Sequence, residues 1–221
     1  MEQALAALSV TPRFEEVATA DLVIEAVPED IKLKVETFGR LDKLARPETI
    51  LASNTSSLSL SEMSAAVSRP QRFVGMHFFN PVPKMKLIEL VHTAETSDET
   101  LRRVETVARQ MGKETVRVKE SPGFATSRIN ALIGNEAFRM LEEGIASAED
   151  IDKAVKLGLN HPMGPFEMVD LVGLDVRLAI LEYLHKTLGE RFTPSRLQRE
   201  LVERGRLGRK AGRGVYDYEK K

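Results

Sequence analysis

The chain has 221 residues, 42% of them hydrophobic and 29% charged, which supplies one large or two small apolar cores and excludes disordered and collagen-like classes. Lys and Arg (32) nearly balance Asp and Glu (33), and the net charge of -1 offers no global field for nucleic acid. There is no cysteine, so no disulfide framework, thiolate nucleophile or thiolate zinc site can form, which fits a reducing, cytoplasmic setting. No apolar run reaches the roughly 18 residues of a membrane span, and MEQALAALSV lacks the basic-then-apolar order of a secretory signal.

In chain order, MEQALAALS is a short helix-like piece broken by Thr11-Pro12, and residues 22–27 (LVIEAV) form a strand stopped by Pro28. Pro28-Glu29-Asp30 opens a helix to about residue 45, since proline suits a first turn and acids complement the helix dipole. Strands follow at 50–53, 73–77, 86–91 and 115–118, with helices at 59–68 and 98–111. This alternation predicts a mostly parallel, helix-covered sheet. After Lys119 the pattern becomes helical, at 124–143, 151–157, 165–171, 174–188 and 194–203, with Ser147-x-x-Asp150 resembling a capping box. The expected organisation is an α/β part, 1–119, and an all-helical part, 120–221. The basic run Gly205-Arg-Leu-Gly208-Arg-Lys-Ala-Gly212-Arg-Gly214 does not fit GxxxxGK[ST] and is read as a solvated connector rather than a phosphate loop.

Between Ile50 and Val91 three apolar runs end in polar chemistry. One stops at Ser53-Asn54-Thr55-Ser56-Ser57, one at His77 with Asn80-Pro81 beyond it, and one carries Glu89 within it. Polar residues just past strand carboxyl ends are where α/β sheets hold ligands. Each also has a plain structural reading: His77 as a core histidine bonded to backbone, Glu89 as an outward edge charge, and the serine cluster as a helix cap.

The segments ASNTSSLSLSEM, RFVGMHFFNPVPKMKLIELV and SPGF followed by Ser127-Arg128 resemble the 3-hydroxyacyl-CoA dehydrogenases, particularly the bacterial 3-hydroxybutyryl-CoA type, from about Asp21 onward. The resemblance implies an incomplete Rossmann-type α/β domain, then a helical substrate and dimerisation domain. It further implies NAD as cofactor, a small acyl-CoA as substrate, a homodimer through the helical part, and neither nucleic acid nor membrane as partner. His77 takes the role of general base, which a neutral imidazole suits near neutral pH. Glu89 holds its other nitrogen, and Ser56 holds the substrate oxygen. Asn80 is placed with Ser56 at both substrate and cofactor, and Asn54, Ala26, Val27, Glu29 and Lys34 at the cofactor; without the resemblance Lys34 is a solvated helix lysine. Where the family often has asparagine before the arginine, this chain has Ser127, so Ser127 and Asn130, three apart on one helix face, are carried as substrate contacts.

None of the 14 glycines meets the G-x-G-x-x-G spacing, and Gly212-x-Gly214 has Asp217 in third place. The resembling enzymes carry that motif ahead of the region matching Asp21. The expectation is therefore a chain lacking the usual pyrophosphate cradle, with strand 22–27 short of one neighbour. Two further readings stay open: an acyl-CoA-binding or dimerisation module without hydride chemistry, and a crystallin-like structural protein.

Overall fold

The apolar runs of the first half build a five-stranded sheet in the order β1 (Leu22–Glu25), β2 (Ile50–Ser53), β3 (Phe73–Phe78), β4 (Leu87–His92) and β5 (Glu114–Lys119). The computed structural model describes residues 6–218 and divides the chain into two compact units, Met1–Ser121 and Pro122–Lys221. Residues 1–5 of the expected opening helix lie outside the described residues. The pairs β1–β2, β2–β3 and β4–β5 are parallel, as the alternation of elements predicts, but β3–β4 is antiparallel. The connection at 79–86 carries no helix and is too short for a parallel crossover, which takes a dozen residues or more.

Helices cover both faces. Val74, Met76, Ile88 and Leu90 pack with Leu101, Val104 and Ala108 of α3 (Asp98–Gln110). On the other face Phe73 meets Phe38 of α1 (Ile31–Leu44) edge to face, centroids 4.8 Å apart. Each such buried side chain contributes about 1.5–3 kcal/mol. Over Gly75 lies Leu60, the first residue of α2 (Leu60–Ser64); a Cβ at Gly75 would stand 2.7 Å from Leu60 Cδ1 and 3.0 Å from Val91 Cβ, so only glycine lets α2 settle there. Side chains alternate along a strand, so His77 shares this second face with Phe73 and Gly75.

Element ends differ from the sequence expectation where caps decide them. The helix expected from Pro28 begins at Ile31, because Asp30, in extended conformation, accepts from Leu33 N and acts as N-cap. The cap of α2 is Ser59, accepting from Glu62 N, rather than the serines at 53–57. Among the described residues β1 forms one edge of the sheet and pairs with β2.

The second unit contains α4 (Thr126–Glu142), α5 (Ala148–Gly158), α6 (Pro165–Val172), α7 (Leu174–Leu188) and α8 (Arg196–Glu203). Ser147 caps α5, its hydroxyl oxygen accepting from Asp150 N while the hydroxyl donates to Asp150 Oδ2. Phe138, Ile151, Phe166, Val169 and Leu174 form a core. Asp170, wholly buried, accepts from Val215 N (2.9 Å), Tyr216 N (3.0 Å) and the Tyr218 hydroxyl (2.8 Å). The glycine-rich run wraps this carboxylate, and a Cβ at Gly208 or Gly214 would collide with Asp170. It is a connector closed on an internal anion.

Burial and the hydrogen bond to Asp170 push the Tyr218 phenol from 10.0 up to about 12. A group whose folded pKa exceeds its unfolded value stabilises below the unfolded pKa and loses that contribution as pH rises through the folded one. Resistance of the helical unit to urea should therefore fall between about pH 10 and about pH 12. Tyr218→Phe should show less of this pH dependence, followed by circular dichroism.

Candidate active site

The carboxyl ends of β1, β2 and β3 bring most of the expected residues of the first unit together. In the antiparallel register His77 stands opposite Glu89, and His77 Nδ1 lies 2.7 Å from Glu89 Oε2. The Glu89 side chain has no exposure and that of His77 has 6%. The imidazole also packs against Phe79, centroids 4.5 Å apart and planes at 47°. A carboxylate at one ring nitrogen fixes the tautomer and orientation of an imidazole.

One strand over, Asn54 Oδ1 accepts from Phe78 N at 2.9 Å, tying the loop after β2 to the residue that follows His77. Ser56 is exposed, and its backbone N–H donates to Glu29 Oε1 at 3.0 Å. Thr55 Oγ1 donates to the same oxygen at 2.5 Å. Ala26 is exposed and Val27 half-buried in the turn leaving β1, so a main-chain edge is presented beside Glu29. Asn80 is exposed, two residues past the end of β3, in a cis peptide with Pro81. Ser127 and Asn130 belong to the helical unit, both half-buried in α4. With its carboxamide oxygen turned toward Arg177, Asn130 accepts from Nη2 at 2.5 Å and Nη1 at 3.3 Å. Arg177 is 5% exposed, and burial lowers its pKa to about 10.

Lys34 is neither a solvated lysine nor an open ligand donor. Its side chain is 1% exposed, and Nζ donates to Glu25 Oε1 (2.7 Å) and Val27 O (3.1 Å), with Glu29 Oε2 at 3.4 Å. Sequence reasoning passed over Glu25 and gave Ser53 no role of its own, although Ser53 Oγ donates to Glu25 Oε2 at 2.7 Å. A signal was present: Glu25, like Glu89, is a carboxylate inside an apolar strand run.

The profile of the 3-hydroxyacyl-CoA dehydrogenase NAD binding domain matches residues 1–121, and that of the 3-hydroxyacyl-CoA dehydrogenase C-terminal domain matches residues 123–218. The chain is 48% identical over 215 residues to a probable 3-hydroxybutyryl-CoA dehydrogenase of Bacillus subtilis, covering 97% of this chain and 75% of that one. It is 46% identical over 222 residues to the mitochondrial hydroxyacyl-coenzyme A dehydrogenase of Rattus norvegicus, covering 99% and 71%. The crystal structure of (S)-3-hydroxybutyryl-CoA dehydrogenase from Ralstonia eutropha is similar with a TM-score of 0.96 at 46% identity, over 99% of this chain and 78% of that one.

Asn54→Ala removes the acceptor of the Phe78 N–H and should cost about 1 kcal/mol of stability. Urea denaturation gives the loss, and amide exchange should locate it at Phe78.

Proposed function

The chain belongs to the 3-hydroxyacyl-CoA dehydrogenase family, and from that premise we propose that it interconverts a short (3S)-3-hydroxyacyl-CoA, 3-hydroxybutyryl-CoA first among them, and the matching 3-oxoacyl-CoA with NAD. The observation that carries this proposal is the contact of a wholly buried Glu89 with His77 at 2.7 Å. A neutral His77 that donates from Nδ1 to Glu89 keeps its lone pair on Nε2, where it can take the proton of a substrate hydroxyl. The imidazolium so formed would be costly in a nearly dry pocket, and the Glu89 carboxylate offsets that cost. The Ser56 hydroxyl is assigned to the substrate oxygen, which it holds as carbonyl character develops. Ser127 and Asn130 are assigned to the acyl-CoA, and Asn80 to both substrate and cofactor.

NAD, when bound, supplies the hydride acceptor for oxidation and, reduced, the donor for the reverse. The residues present suit its nicotinamide side: the exposed edge at Ala26 and Val27, the part-exposed Glu29 carboxylate (41% by side chain) and Ser56 all sit at strand carboxyl ends. The glycine spacing that would cradle the pyrophosphate does not occur in the sequence.

We assign a second copy of the chain to the helical unit, where Ile129, Leu157, Leu159 and Leu171 are each at least half exposed. Light scattering should give twice the chain mass; a monomer would remove this assignment.

The proposed activity is tested by following NADH absorbance in the presence of acetoacetyl-CoA. His77→Gln should abolish turnover with the fold intact, and Glu89→Gln should lower kcat by about 10²- to 10⁴-fold, the range of acid–base assistance. Wild-type kcat/KM in the His77 variant would sink the mechanism.

A further inference from the structure

We infer that Glu25 is a positioning residue for the cofactor side of the site, acting through Lys34 and Glu29 on the loop that carries Ser56. This rests on the dehydrogenase proposal for its link to NAD, and on geometry alone for its control of the loop.

Glu25 ends β1, in register with Ser53 at the end of β2, and is 4% exposed. Its Oε1 accepts from Val27 N at 2.6 Å and from Lys34 Nζ at 2.7 Å, and its Oε2 from Ser53 Oγ at 2.7 Å. One carboxylate thereby fixes the turn out of β1, the end of β2 and the only cation of the cluster. Lys34 has three protons to donate and three acceptors around it: Glu25, the Val27 carbonyl and Glu29. The other oxygen of Glu29 receives Thr55 Oγ1 and Ser56 N. A continuous line of polar contacts therefore runs from Glu25 to the backbone of Ser56.

Stability alone does not call for this arrangement. Replacing a buried ion pair by apolar side chains of similar size is often neutral or stabilising, because two charges no longer have to be desolvated. What apolar packing cannot do is hold the Glu29 carboxylate at a fixed point against Thr55 and Ser56. With two carboxylates on Lys34, its attraction to Glu29 is shared. In Glu25→Gln, Lys34 turns to Glu29 as the remaining carboxylate beside it and draws it off the Ser56 N–H.

The test uses the full chain in three forms: wild type, Glu25→Gln, and the apolar double variant Glu25→Leu with Lys34→Met. Hydrogen exchange over residues 54–58 is measured together with thermal unfolding and NADH titration. Both variants should unfold within a few degrees of wild type, yet exchange at 54–58 should accelerate, and NADH affinity should fall roughly 10- to 100-fold, the range for losing a hydrogen bond to a charged group. Exchange unchanged at 54–58 in both variants overturns the inference, as does faster exchange with unaltered NADH affinity. A wild-type chain that takes up no NADH sinks the dehydrogenase proposal alone, and the exchange measurement then decides whether Glu25 governs the loop.

Discussion

A carboxylate with no access to water persists in a folded chain only where a donor meets it, and the first unit sets Glu89 in the middle of a sheet. The antiparallel register supplies the donor by placing His77 directly across from it. Much of the surrounding structure follows from keeping that pair in place. Gly75 lets Leu60 and Val91 close over the same face. Asn54 holds the end of β3 from the neighbouring strand. The reversal of β4 is what makes a direct cross-strand pair available, because a parallel neighbour would reach this point only after a long crossover.

The same constraint recurs at the start of the sheet, where Glu25 is met by Lys34, Ser53 and a backbone amide. The two buried carboxylates serve different ends. Glu89 faces the His77 imidazole across the strand pair. Glu25 faces the Lys34 side chain and the turn that leaves β1. Both are flanked on their strands by Leu, Ile and Val, so apolar packing isolates them from solvent.

Parts of this were legible in the sequence. Short apolar runs ending in polar residues located β2 and β3 to within a residue, because fully buried strands need uninterrupted hydrophobicity. The pairing of His77 with Glu89 was expected from the family resemblance and from the need of a buried imidazole for a carboxylate at its other nitrogen, not from the strand order. The burial of Lys34 was not expected: a helix lysine is usually exposed, and this one is sealed only because the β1 turn folds back over it. The first residue of α1 was misplaced by three because Pro28 suggests a helix start, whereas the capping geometry belongs to Asp30. The reversal of β4 was present in the helix-free stretch 79–86 but is a matter of connection length, not of residue type.

The knot around Asp170 bears on how the chain is made. Its donors lie 45, 46 and 48 residues downstream. A nascent chain that has emerged through α7 therefore carries α6 with a carboxylate destined for burial and nothing to meet it. Desolvating that group early is unfavourable, so the last turn of α6 cannot take its final environment until residues 215–218 leave the ribosome. The helical unit is thus completed from its far end, whereas the sheet unit has Lys34 and Ser53 for Glu25, and His77 for Glu89, in hand once β4 has been synthesised.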